Sequence, residues 1–164
     1  MQKIAPFLWF EKNTAKEVAD YYLSIFGENA NVKDTTKLED TPSGTVSVIT
    51  LVIFGQEFTS MSAGPFEKFS AATSFVINCE TQEEIDYYWN AFCKEGEVGR
   101  CGWLKDKFGV SWQVVPAILA TFLGDNDKEK SARAMQAMLK MNKIIIADIE
   151  VASKIDARRL GEKN

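Results

Sequence analysis

This chain says the same thing twice. Residues 4–10 (IAPFLWF) read as a short apolar strand. Thr14 to Glu17 then match the S/T-x-x-E pattern that satisfies free N–H groups at a helix start. Val18, Tyr21, Tyr22 and Ile25 follow at helical spacing, and Gly27 stands where a left-handed cap would end the helix. A weak polar strand (residues 32–38), a turn (41–44) and a strong β-branched strand (45–54) come next. The Phe54-Gly55 turn leads into residues 57–62. The order then recurs: a strand (74–79, SFVINC), a second box from Thr81 to Glu84, and a stripe of Ile85, Tyr88, Trp89 and Phe92. Gly96 closes it, and a hairpin turns at Phe108-Gly109. Self-similarity at this length limits the fold to two copies of one supersecondary unit. Each copy reads as a βαββ(β) unit, the second one strand shorter before its hairpin.

The second hairpin, residues 101–116 (CGWLKDKFGVSWQVVP), is the most informative stretch. Apolar arms at 101–104 and 110–115 flank a charged turn, and Pro116 stops the second arm because it cannot donate to a ladder. Side chains alternate along a strand. Ser111, Gln113 and Val115 therefore share one face, a polar row suited to a cavity. Trp112 and Val114 share the other face, which reads as core. Lys105, Asp106 and Lys107 read as solvated turn residues.

Beyond Pro116 the pattern becomes helical. Asp125 to Asp127 should cap a helix running through Met141, with Ala134, Met138 and Met141 on one face and Met135 and Leu139 beside it. A short helix is expected over 147–154, with residues 143–146 (KIII) as its lead-in and not a strand. The charged end, 156–164, should fray. The expected layout is one domain over 1–164: module one at about 1–63, module two at about 72–116, and a helical extension at 117–156. Residues 64–72 form the linker.

Composition narrows the function. With net charge −4, nothing favours nucleic acid or an anionic membrane as partner. No apolar run approaches a membrane span, and the N-terminus lacks a signal-peptide layout. Cys79, Cys93 and Cys101 are odd in number with no CxxC pair, so they read as free thiols of a cytoplasmic, reducing environment. The chain has no histidine. That removes His-based nucleophilic and acid–base designs and the commonest metal ligand. The glycines fall at turns and helix ends, so the Gly-rich strand-to-helix loop of a usual methyl-donor site is missing.

Four stretches together resemble the PhnB-like family of the vicinal oxygen chelate superfamily, the fold of glyoxalases and bleomycin-resistance proteins. They are PFLWF with TAKEVADYYLSIFG, then SFVINCETQEEIDYYW, then CGWLKDKFGVSWQVVP, then LGDND…ARAMQAMLKMNK. The resemblance implies an α+β fold: paired βαβββ modules forming a U-shaped mixed sheet around a cavity, with C-terminal helices, in a homodimer. Family members often carry the label 3-demethylubiquinone-9 3-methyltransferase. The superfamily's four ligand places fall near Phe7, Thr59, Ser74 and Gln113, where other members hold His, Gln or Glu. Of these only Gln113 coordinates reasonably, and Glu57 is the nearest carboxylate. The expectation is therefore no tightly bound metal and no cofactor.

The candidate ligand-binding residues are Phe7, Trp9, Glu57, Thr59, Ser74, Cys101, Trp103 and Gln113. Gln113 would anchor a ligand through its amide, or simply bond neighbouring backbone. Trp9 and Trp103 would wall a flat ligand, or pack. Glu57 would serve as base or ligand, or as a solvated turn carboxylate. Cys101, near Lys105 and Lys107, would be a reactive thiol or a packed one. Trp89, Trp112 and the tyrosines Tyr21, Tyr22, Tyr87 and Tyr88 are assigned to packing. A small-molecule binding protein is the first reading. An enzyme acting on a quinone-like or other small organic substrate, methyltransferase-labelled or glyoxalase/dioxygenase-like, is the second. A ligand-free structural dimer is the third. The Met-rich last helix adds to the expectation of a homodimer, since methionines make adaptable packing surfaces.

Overall fold

The computed structural model describes residues 2–11, 14–64 and 67–154. The Pro65-Phe66 part of the expected linker and the end expected to fray lie outside the described residues. The chain divides into two compact units, Met1–Lys68 and Phe69–Asn164.

The first unit runs β1 (Phe7–Phe10), α1 (Ala15–Phe26), a single 3-10 turn (Gly27–Asn29), β2 (Ala30–Thr41), β3 (Gly44–Ile53) and β4 (Gln56–Ser62). Its sheet has the order β1-β4-β3-β2, with β1 parallel to β4 and the other pairs antiparallel. The second unit runs β5 (Ser74–Cys79), α2 (Gln82–Cys93), β6 (Glu97–Val98), β7 (Trp103–Lys105) and β8 (Ser111–Pro116). Its sheet has the same order, β5-β8-β7-β6, with β5 parallel to β8. Both copies are therefore βαβββ modules, and the fold is α+β. The strand expected to be missing from the second copy exists as β6. Two residues are too few to show the alternation by which a strand is read.

In each unit one sheet face is packed beneath the helix and the other is open. In the first, Leu8, Phe10, Ile49, Leu51, Ile53 and Phe58 are buried, as are Val18, Tyr22, Ile25 and Phe26 of α1. In the second, Ile77, Leu104, Trp112 and Val114 are buried with Ile85, Trp89 and Phe92 of α2. Phe92 stacks on Trp112 with centroids 5.0 Å apart, and Phe75 lies 5.2 Å from the same indole. Each such pair adds about 0.5–1.5 kcal/mol beyond burial. Trp112 is thus core, as the alternation requires. Tyr87 is the exception among the tyrosines assigned to packing. It is exposed, with its ring edge-on to Tyr88.

The two helix starts differ. The Thr81 hydroxyl accepts from the Glu84 N–H at 3.3 Å, and the Glu84 carboxylate accepts from the Glu80 N–H at 2.6 Å. Thr14 makes no side-chain cap, and its hydroxyl donates to the Glu11 carbonyl instead. The reason is backbone geometry. A capping side chain works from an extended residue. Thr81 has φ −130° and ψ 166°, whereas Thr14 is already helical at φ −104° and ψ −10°.

The C-terminal helices are α3 (Leu119–Leu123), α4 (Lys128–Met138) and α5 (Ile146–Lys154). The sequence reading did not foresee α3 and ran α4 three residues too far. Asp127 caps α4, accepting from the N–H groups of Glu129 and Lys130. Met138 and Met141 pack against the buried Ala134, Ile144 and Ile149. Of the methionines expected to form an oligomer surface, only Met135 is exposed, beside Leu139. Residues 143–146 form no strand, because their backbone bonds the Gln82 side chain. Gln82 Nε2 donates to the Ile144 carbonyl at 3.1 Å, and the Ile146 N–H donates to Gln82 Oε1 at 2.9 Å. Lys143 also pairs with Asp86 at 2.6 Å, which ties the extension to α2. Among the described residues no helix is long and apolar enough to cross a membrane.

Candidate functional site

The open face of each sheet carries part of the expected site. In the first unit Phe7 lies beside Thr59 in the parallel β1–β4 register, and Trp9 lies beside Met61. Phe7 and Trp9 are exposed, while the alternate residues Leu8 and Phe10 are buried. The Thr59 hydroxyl is 3.4 Å from that of Thr50, and Trp9 Nε1 donates to the Ala63 carbonyl at 2.8 Å. Glu57 lies within β4, not in a turn, and is held by the Lys33 ammonium. The hydrogen bond from Lys33 is the main cause that lowers the Glu57 pKa below the usual carboxylate value. A carboxylate so held is a poor general base.

In the second unit the open face is more polar. Gln113 on β8 sits opposite Trp103 of β7, and Ser111 sits opposite Lys105 of β7 and beside Ser74 of β5. Gln113 Nε2 donates to Ser74 Oγ at 2.9 Å. That bond leaves the Gln113 carbonyl oxygen as an acceptor, and the second Nε2 proton and the Ser74 hydroxyl proton as donors. Cys101 is not part of this row. It has φ +57° in a turn with Gly102 before β7 starts, and its N–H donates to the Met141 carbonyl. The sequence reading placed Cys101 at the head of the strand because the left-handed turn is invisible in its apolar neighbours. Burial pushes the Cys79 thiol up to about 12 and raises that of Cys93 as well, so neither is an activated nucleophile.

Two residues gain importance from the structure. Asp106 is buried, contrary to its reading as a solvated turn residue. Its carboxylate accepts from the N–H groups of Phe108 and Val110 and from Trp112 Nε1, at 2.9, 3.0 and 3.1 Å. Asp side chains commonly bond backbone two residues on, so the signal was there in the turn composition. Ser111 is only 2% exposed, and its hydroxyl has no hydrogen-bond partner. A buried unsatisfied polar group costs about 1–3 kcal/mol and calls for an explanation. Ser111 also lines a depression of about 170 Å³, together with Trp103, Lys105, Glu97 and Gly99. Its place two residues before Gln113 put it on the polar row already.

The donor set does not fit a transition metal. Of the four places given by resemblance, Phe7 offers no donor, Thr59 shares its hydrogen bond with Thr50, and Ser74 and Gln113 bond each other. Among the described residues no three His, Cys, Asp or Glu side chains gather as a metal group would require. Nor does the sequence of either strand-to-helix connection, residues 11–14 or 80–81, contain a glycine that would let a methyl donor's carboxylate approach backbone.

Two βαβββ modules, each with the fourth strand inserted beside the first, define a protein of the vicinal oxygen chelate fold. The family model described as 3-demethylubiquinone-9 3-methyltransferase matches residues 2–115, and the chain belongs to that family, PhnB-like within the superfamily. The helices α3 to α5 lie beyond the matched residues. Among solved structures, the PhnB protein from Bacillus cereus is 29% identical, with a TM-score of 0.61 over 70% of this chain and 99% of that one. Protein PA1353 from Pseudomonas aeruginosa is 20% identical, with a TM-score of 0.59 over 71% and 98%. The fosfomycin resistance protein FosX from Listeria monocytogenes is 14% identical, with a TM-score of 0.52 over 70% and 90%. The last two similarities show the fold alone. No curated protein matches the chain.

Proposed function

We propose that this protein binds a small organic molecule on the open face of its second sheet, by stacking and hydrogen bonds and without a metal. The observation that carries the reading is the Ser74–Gln113 pair beside Trp103, which presents the amide oxygen as acceptor and the hydroxyl and second amide N–H as donors next to an aromatic wall. Neutral hydrogen bonds are worth about 0.5–1.5 kcal/mol each, so a ligand held this way should bind weakly to moderately. Thermal-shift and calorimetric titration with a set of aromatic and quinone-like compounds tests it. Replacing Gln113 by Leu should weaken binding about tenfold and leave the melting temperature of the free protein within a few degrees. A Gln113→Leu variant that binds as wild type does would overturn the reading.

Methyl transfer is the second reading, favoured by the family's description. The glycine-free strand-to-helix connections argue against the usual donor site. Calorimetry with S-adenosylmethionine decides it. The free thiols of Cys79, Cys93 and Cys101 support a reducing, cytoplasmic location. Exposed Met135, Leu139 and Val151 support a homodimer, and light scattering at micromolar concentration should return about twice the 18.4 kDa chain mass.

A further inference from the structure

The depression beside Trp103 has a chemistry more specific than the reading above, on which the following rests. Three observations define it. Its volume, about 170 Å³, is close to that of a cavity known to take one benzene ring, roughly 150 Å³. A single ring with one small substituent fills that volume. Gly99 keeps one flank thin. Its N–H donates to the Trp103 carbonyl at 2.9 Å, and a Cβ there would meet that oxygen at 2.6 Å. A side chain at that position would collide with the Trp103 backbone.

The polar lining is asymmetric. The Ser111 hydroxyl is shielded from solvent and has no partner. Lys105 stands opposite Ser111 in the β7–β8 register, and both residues line the depression. Lys105 is paired with Glu97, but loosely, at 3.6 Å, and the Glu97 side chain is 77% exposed. A solvated carboxylate at that distance contributes little and is readily exchanged for a better acceptor. A ligand oxyanion accepting from Ser111 would satisfy the orphaned hydroxyl and stand near the ammonium at the same time. Charge-assisted hydrogen bonds are about twice as strong as neutral ones, so such a group would be preferred over a neutral amide.

We propose that this depression binds a single-ring aromatic acid, its ring against Trp103 and its carboxylate on Ser111 and Lys105. The test uses the whole chain and three probes of one shape: benzoate, benzamide and benzylamine. Each is titrated by chemical-shift mapping at neutral pH. Wild type should bind benzoate about tenfold more tightly than benzamide and benzylamine least. Ser111→Ala should weaken benzoate about fivefold or more, and Lys105→Met should abolish the preference for benzoate while leaving benzamide unchanged. Ser111→Cys, of similar volume, controls for packing and should also weaken benzoate. Equal affinity for benzoate and benzamide in wild type would overturn the proposal. So would a preference for benzylamine, which would make Glu97 the recognising group, or benzoate binding that ignores both substitutions. If Gln113→Leu weakens all three probes while Ser111→Ala and Lys105→Met change none, the binding face stands and this assignment falls. If no probe shifts any resonance of residues 97–111 up to millimolar concentration, the assignment falls by itself. Other aromatic compounds still test the Gln113 face.

Discussion

The two modules share a strand order but solve their turns and edges by different means. The β3–β4 turn is made by backbone conformation. Phe54 and Gly55 both have positive φ, 48° and 77°, and side-chain aid comes on the carbonyl side, where Gln2 Nε2 donates to the Gly55 oxygen at 3.1 Å. The β7–β8 turn is made by a side chain, the buried Asp106, which takes three N–H groups at once. The outer strand of the first sheet is twelve residues long and that of the second is two. A sheet topology therefore survives large changes in strand length so long as the packed face is kept. In the second module the two-residue edge strand pairs with Leu104 and Lys105, and its Glu97 and Val98 line the depression beside Trp103.

Asp106 offers the sharpest test of that contrast. Asp106→Ala leaves three donors, two of them in the turn, without their acceptor. Hydrogen bonds to charged groups are worth about 1.5–3 kcal/mol each, though not additively, so a loss of about 3 kcal/mol or more is expected. The urea midpoint should fall accordingly. If Asp106→Ala costs no more than Gly55→Ala, about 1–2 kcal/mol for a left-handed residue gaining a Cβ, the two turns are energetically alike and the contrast fails.

The helix starts give a smaller effect. Thr81→Ala should destabilise the protein by about 1 kcal/mol through loss of its cap, and Thr14→Ala by only a few tenths. Equal losses in equilibrium unfolding would show that the two boxes do the same work.

The smallest effect is electrostatic and should be alike in both units. Lys33 lowers the Glu57 pKa, and Lys143, followed by Gln82, lowers that of Asp86. A carboxylate whose folded pKa is depressed adds stability above its unfolded value, near 4.5 for Glu57 and 3.8 for Asp86. That stability is lost as pH falls through the folded value. Both pairs are at the surface, so the readout is titration, not unfolding. Lys33→Met and Lys143→Met should each raise the carboxyl midpoint of its own partner and leave the other unmoved. A Glu57 midpoint that ignores Lys33→Met would break the pairing.

The sequence by itself determined the repeat, the α+β class and the two helices with their apolar stripes. It also placed Gln113 and Trp112 on opposite faces of β8. These depend on periodicity, and burial of one face enforces periodicity residue by residue. Tertiary structure decided what depends on one partner far along the chain. The lead-in before α5 was expected from the sequence, but what holds it was not: Gln82, more than sixty residues earlier, takes the Ile144 carbonyl and the Ile146 N–H. Cys101 left the strand because its N–H bonds Met141 across a left-handed turn. Asp106 is the local exception: its turn chemistry was legible, and it went inside because Trp112 Nε1, six residues on, shares its carboxylate with the turn N–H groups. Ser111 remained the one residue whose pattern was legible but whose state was not. A hydroxyl's burial and its lack of a partner are set by what surrounds it in space, and no spacing along the chain records that.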